Sequence, residues 1–350
     1  MKAHDVAIIG GGIIGLSLAL ELRRQGASVV LLERGEPGRE SSHAAAGMLA
    51  FCDPETPPEM QEICFASARL YPGFVRELED ESGHRVDFRR QGTIAFFRHG
   101  EPSPCAAREL AADELHKLEP RLVATSGPAV FLEEQTVDNR ALSSAAAAAA
   151  RRRGVEIASG AQVTSVEAQG GRAAGVRTTR AFYAAQSVVN CGGAWAGQLA
   201  PIAFPTLPKK GQMLSVAAPG LLTHAIRGEN IYLVPRSDGR VLIGATVEDA
   251  GFDKRVDPAV IQRMHQSAAN LVPSLGEARI LEAWAGLRPG TPDGLPILGA
   301  TSLPRYFAAT GHFRNGILLA PVTARVLAQV IAGTPTELDI TAFSPARFAC

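Results

Sequence analysis

Three glycines and one acid near the amino end have the spacing of a phosphate-binding turn. Val6, Ala7, Ile8 and Ile9 form a short apolar run that stops at Gly10, and Gly10, Gly12 and Gly15 follow G-x-G-x-x-G. In that pattern the missing side chains let a backbone approach a pyrophosphate closely. The periodicity predicts a helix from Ile13 to Gln25, stopped by Gly26, whose first turn offers unpaired N–H groups and a positive dipole end to the phosphate. Val29 to Leu32 reads as a second buried strand. Glu33, eighteen residues beyond Gly15, stands where a carboxylate accepts hydrogen bonds from an adenosine ribose. A lone glycine fingerprint is a weak signal, but strand, turn, helix, strand and acid in this order define a dinucleotide site.

The elements that must carry this site follow from length and pattern. At 350 residues the chain is long enough for about two domains or one large one. Its 35 basic and 35 acidic residues cancel, so no overall field draws it to nucleic acid or an anionic membrane. The run Val6 to Leu20 is broken by glycines, followed by Glu21, too short to span a bilayer and without a small-residue cleavage site. Arg151 to Arg153, after six alanines and before Gly154, closes a helix predicted from Arg140 to Arg153. Cys52, Cys64, Cys105, Cys191 and Cys350 are odd in number and form no C-x-x-C pair. They imply a reducing, cytoplasmic compartment with neither a disulfide framework nor a metal site.

Beyond that helix, Val155 to Ile157, Val163 to Val166, Val176 to Thr179 and Ser187 to Val189 read as strands, and Asn190-Cys-Gly-Gly-Ala-Trp195 returns the chain to the nucleotide sheet. Residues 51–137 differ, with helical segments at Gln61 to Ser82 and Ala111 to Glu119 among short strands. Ser237-Asp-Gly-Arg240 joins Ile231-Tyr-Leu-Val234 and Val241-Leu-Ile-Gly244 as a β-hairpin, a second turn falls at Asp293-Gly294, and a final helix runs from about Gly316 to Ala332. Paired acids such as Glu133-Glu134 and Asp80-Glu81 read as solvated faces. The expected fold is α/β, a Rossmann-type dinucleotide domain (1–50, 138–205 and 284–350) interleaved with a mixed-sheet α+β substrate domain (51–137 and 206–283).

Three stretches agree with one family: the fingerprint with Glu33, Ser41-Ser-His-Ala-Ala-Ala-Gly-Met-Leu-Ala50, and Gly311-His-Phe-Arg-Asn-Gly-Ile-Leu-Leu-Ala-Pro321. With Tyr232-Leu-Val-Pro-Arg236 and Trp284-Ala-Gly-Leu-Arg-Pro-Gly-Thr-Pro-Asp-Gly294, the chain resembles the glycine oxidases of thiazole biosynthesis, within the FAD-dependent amine and D-amino-acid oxidase family. The resemblance runs to about Gly333. It implies non-covalent FAD, a small amino-acid substrate with dioxygen as acceptor, and a homo-oligomer, a tetramer in the family. It implies that Ile13, Ile14, Glu33 and Arg34 face the FAD diphosphate and ribose. Ser41, Ser42, Ala46, Gly47 and Met48 then line the path to the flavin ring, and Val163 gives a backbone contact to the adenine. His312, Phe313, Arg314, Asn315, Gly316, Ile317 and Leu318 wrap the flavin, while Tyr232, Arg288 and Arg314 surround the substrate carboxylate. The chain departs from the family at Asn230 and Val247, where histidine and methionine are frequent, and these changes bear on substrate range.

The residues themselves suit that chemistry. A flavin accepts the hydride, so the protein mainly has to orient the donor. Arginine pairs bidentately with a carboxylate, and Arg288, between Trp284-Ala-Gly-Leu and Pro289-Gly290, is the first candidate for the clamp. Arg314 reads either as a second clamp or as a helix-entry arginine, and Tyr232 either as a hydroxyl donor or as a core tyrosine. The amino end of the final helix, near Asn315 and Gly316, is expected to place a positive dipole beside the flavin N1 and C2 carbonyl. His312 either adds to that field or packs as a neutral ring. No cysteine in the Arg288 or Arg314 blocks offers a thioether link. Hydrolase, zinc-protease and NTPase signatures are absent. The competing readings are a D-amino-acid dehydrogenase or sarcosine-type oxidase of the same fold, an NAD-dependent dehydrogenase, and a non-catalytic flavin-binding subunit.

Overall fold

A computed structural model describes residues 3–96, 105, 107–123 and 127–348; Cys350 lies outside the described residues. The fold is mixed α/β, built around two eight-stranded sheets. In the first, His4–Ile9 lies between Val29–Glu33 and Phe182–Asn190, parallel to both, with Val6 opposite Val29 and Ile9 opposite Asn190. Glu156–Ser159 and Tyr306–Thr310 extend it in parallel on either side. Side chains alternate across a strand, and here both faces are covered. Val6 and Ile8 pack with the helices Ile13–Arg24, Pro58–Ser82, Asn139–Arg152 and Ala320–Ala332. Ala7 and Ile9 pack on the other face with Val163, Val176, Phe204 and Tyr306. That two-sided burial explains why the strand reads as an unbroken apolar run.

The second sheet runs Ile280–Gly290, Leu207–Ala217, Arg240–Gly244, Tyr232–Pro235, Ala225–Arg227, Thr93–Phe96, Ala129–Leu132, Arg108–Leu110. The hairpin forms as the sequence indicates, Tyr232 opposite Gly244 and Pro235 opposite Val241, with Gly239 supplying the positive φ of the turn (86°). One face, with Leu214, Val216, Leu233 and Ile243, is covered by the helix Pro258–Leu271. The other face carries Met213, Val234 and Leu242 with Tyr232 and Trp284, and it looks toward the first sheet.

Two expectations are corrected here. Cys52 and Cys105 form a disulfide, their Cα atoms 5.4 Å apart across 53 residues of sequence. The strands Thr93–Phe96, Ala129–Leu132 and Arg108–Leu110 bring them together, packed with Ala95 and Leu132; no spacing rule encodes such a contact. Glu134 is not on a solvated face. It is buried and ion-paired with Arg227, and it also accepts a hydrogen bond from the Cys52 N–H. Burial of a carboxylate at this position is sustained only because both oxygens have partners.

Candidate active site

A cavity of about 900 Å³ runs between the two sheets. At one end the glycine turn works by close packing. A Cβ on Gly15 would lie 2.1 Å from the Gly10 carbonyl oxygen, and one on Gly10, whose φ is 102°, would lie 2.4 Å from that of Cys191. Gly15 therefore seats the helix on the strand, while Gly10 and Gly12 line the cavity. The Ile13 N–H is held by Ser42 Oγ at 2.9 Å. The Glu33 carboxylate accepts from the N–H groups of Gly11 (2.8 Å) and Gly35 (2.9 Å), which leaves acceptor capacity on each oxygen. Arg34 lies 3.6 Å above the Trp195 ring, and Val163 lines the same end.

The short helix Ser41–Ala44 links the two sheets. Ser41 donates to the Leu287 carbonyl (2.5 Å), Trp284 Nε1 to that of Ala44 (3.0 Å), and Asn139 Nδ2 to that of Ser42 (2.7 Å). Arg236 then donates to the Ala46 carbonyl at 2.6 Å. A Cβ on Gly47 would meet the Val137 carbonyl at 1.9 Å, so the turn through Ala46, Gly47 and Met48 along the cavity wall tolerates no larger residue.

At the other end stand Tyr232, Arg288 and Arg314. The Arg288 guanidinium lies against Gly211, where a Cβ would be 2.3–2.6 Å from three of its atoms, and Nη1 donates to the Thr246 carbonyl at 3.0 Å. Burial pushes the Tyr232 phenol up, against the charge and hydrogen bonding of Arg288, so it is a neutral donor at ordinary pH. Arg314 is ion-paired with Glu55, from the loop that follows the Cys52 bridge. Arg227 reaches the same region, between Glu134 and Asp53.

The segment 312–318 forms part of the wall, with a correction. The regular helix begins at Ala320, not near Gly316, and a 3₁₀ turn at Phe313–Asn315 precedes it. Pro321, in the first turn of that helix, has no N–H to give the Ile317 carbonyl, and tertiary contacts take what it leaves free. Tyr71 and Ser67, on the helix Pro58–Ser82, donate to the carbonyls of Ile317 and Leu318 at 2.5 Å. Phe313 adopts a left-handed backbone (φ 46°), which costs about 1–2 kcal/mol for a residue with a Cβ. The expected helix dipole at Asn315 is thus replaced by turn geometry. Leu318 is buried among apolar side chains away from the cavity. His312 is buried, hydrogen-bonded through Nε2 to Thr323 Oγ1 at 3.2 Å, and burial pushes its pKa down to about 3; the ring is neutral and adds no positive field.

Sequence reasoning did not find Gly211, Thr246, Glu55 or Trp195. Gly211 acts by having no side chain where the Arg288 guanidinium lies and Thr246 through its backbone carbonyl, and Glu55 is recognisable only by Arg314 across the fold. The sole local signal was the proline-rich interruption Asp53-Pro-Glu-Thr-Pro-Pro58 between strand and helix.

A nucleotide-type sheet with a parallel centre, a mixed second sheet and, among the described residues, a cavity spanning both are the features of a dinucleotide-dependent oxidoreductase. The family described as FAD dependent oxidoreductase, DAO, matches residues 5–330; the chain belongs to that family of enzymes, with FAD as its cofactor. The residues fit the group, because Gly10 and Gly12 line this end of the cavity with backbone alone and Glu33 keeps acceptor capacity beside them. The "Bifunctional protein ThiO/ThiG" of Trichormus variabilis is 39% identical over 99% of this chain, which covers 55% of that protein. The chain spans about half the length of such bifunctional relatives. The "Glycine oxidase" of Bacillus licheniformis is 34% identical, with 99% and 98% of the two chains covered. The crystal structure of glycine oxidase from Geobacillus kaustophilus superposes with a TM-score of 0.93 at 31% identity, covering 99% of each chain. Among the described residues, no helix is long and apolar enough to cross a membrane.

Proposed function

We propose that the protein oxidises glycine and other small amines or D-amino acids, with dioxygen as acceptor. In balanced form, glycine, dioxygen and water yield glyoxylate, ammonia and hydrogen peroxide. FAD, when bound, accepts the hydride from the substrate α-carbon and passes the electrons to dioxygen. The observation that carries the reading is the Tyr232–Arg288 pair, which faces the same cavity as the glycine turn. Arg288 binds the substrate carboxylate with the fork left open beyond Thr246, and Tyr232 donates a further hydrogen bond. The walls formed by Met48, Met213 and Ile231 exclude water around the α-carbon. The substrate uses its own amine lone pair to drive hydride departure, so no protein base is required, and His312, whose pKa burial pushes down to about 3, supplies none.

FAD is held non-covalently in this reading, since Cys191, the one cysteine lining the cavity among the described residues, is buried beside Gly10 at the phosphate end. The family resemblance supports a role in thiazole synthesis and a homo-oligomer. Cysteine usage no longer supports a cytoplasmic location, given the Cys52–Cys105 bridge. The test is anaerobic titration of the FAD-loaded protein with glycine, sarcosine and D-proline. Flavin bleaching, followed by peroxide release on admitting air, is the expected result. Bleaching without peroxide would turn the reading toward a dehydrogenase, and no bleaching with any of the three would overturn it.

A further inference from the structure

The Thr246 carbonyl that holds the Arg288 guanidinium is itself held by groups that line no part of the cavity. On the strand Leu207–Ala217, Gly211 faces the cavity and Gln212 the opposite side. Gln212 is 0% exposed, and its amide is used at both ends. Nε2 donates to Glu248 Oε1 at 2.9 Å, and Oε1 accepts from the Asp257 N–H at 2.7 Å. Its backbone N–H donates to Thr246 Oγ1 at 2.9 Å, and that hydroxyl donates in turn to the same Glu248 oxygen. Glu248 is also fastened by its backbone, exchanging hydrogen bonds of 3.0 and 2.9 Å with Lys210, whose buried ammonium lies 3.8 Å from the carboxylate. The segment after the hairpin is therefore pinned to the strand, with the Thr246 carbonyl turned toward Arg288.

We propose that Gln212 and Glu248 are positioning residues for the substrate carboxylate: they hold the Thr246 carbonyl, which fixes the rotation of the Arg288 guanidinium over Gly211. A buried amide satisfied at both ends is a rigid strut, because breaking either bond leaves a polar group unpaired. A guanidinium recognises a carboxylate bidentately only when its fork faces the ligand; rotated, it keeps its charge and loses the geometry. The inference rests on the reading that Arg288 binds the substrate carboxylate.

The experiment uses the FAD-loaded enzyme and acetate, which keeps the carboxylate and has no amine to oxidise. Its dissociation constant is read from the flavin absorbance change in wild type, Gln212→Leu, Arg288→Ala and the double variant. Gln212→Leu should weaken acetate about tenfold, as expected for a lost buried hydrogen bond. It should raise the KM for glycine more than it lowers kcat. In the Arg288→Ala background the same change should cost less than about twofold, since it acts through the missing guanidinium. Glu248→Gln, which keeps the side-chain size, should weaken acetate in the same direction by a few-fold and is read in its place if Gln212→Leu does not retain FAD. Acetate binding within about twofold of wild type in both positioning variants, with a clear loss in Arg288→Ala, overturns this inference alone. An equal loss in the Arg288→Ala background overturns it too, as a merely structural effect. Unchanged binding in Arg288→Ala by itself overturns the carboxylate reading and this inference with it.

Discussion

A methyl group added at Gly211 would land 2.3–2.6 Å from three atoms of the Arg288 guanidinium. Ordinary contact begins at 3.4 Å, so the nearest atom must retreat by 3.4 − 2.3 = 1.1 Å. What moves is the far end of a flexible side chain, so the fold is spared. Gly211 carries no positive φ, and exchanging glycine for alanine at a compatible strand position is worth roughly 0.5–1 kcal/mol in favour of the folded state. The site is not spared, because a displacement of about 1 Å in a group that orients the substrate costs on the order of a hundredfold. We therefore expect Gly211→Ala to keep FAD content and melting temperature at or above wild type while kcat/KM for glycine falls about a hundredfold. The assay is peroxide production against glycine concentration, beside a thermal melt of the same preparation. Activity within about threefold of wild type would refute the placement of Arg288 over Gly211, and a melting temperature far below wild type would refute the claim that only the guanidinium moves.

Arg288→Ala should lower kcat/KM for glycine by about 2–5 kcal/mol, with Arg288→Lys recovering only part, and steady-state kinetics on both variants check this. Glu55→Gln releases Arg314 from an exposed ion pair, so acetate should bind up to about fivefold tighter in a flavin titration; weaker binding would show that the pair holds the site together instead. His312 titrates near 3 in the folded chain against 6.5 for an ordinary histidine. Between those values the unfolded chain binds the extra proton, so stability falls as pH drops below about 6.5. Thermal melts from pH 7 to 5 should show that fall, and His312→Gln should make it shallower.

How far the sequence reaches depends on how local the contact is. The strand from Val6, the glycine turn, the helix to Arg24 and the acid at Glu33 were legible because each depends on a spacing of a few residues. The hairpin around Ser237–Arg240 was legible for the same reason. The motif residues Tyr232, Arg288 and Arg314 were legible as types, since arginine suits a carboxylate on any scaffold. What the tertiary structure decided is what those residues touch. Arg314 meets Glu55 across 259 positions, and Arg288 takes the Thr246 carbonyl across 42. The Cys52–Cys105 bridge and the buried Glu134–Arg227 pair arise where strands from distant segments share a sheet. The final helix starts at Ala320 where the local signal of Pro321, which has no N–H for the Ile317 carbonyl, coincides with a distant one: Ser67 and Tyr71, 251 and 246 residues earlier, take the carbonyls of the preceding turn. A hydrogen bond supplied from another element competes on equal terms with one inside the helix, and periodicity along the chain carries no information about that partner.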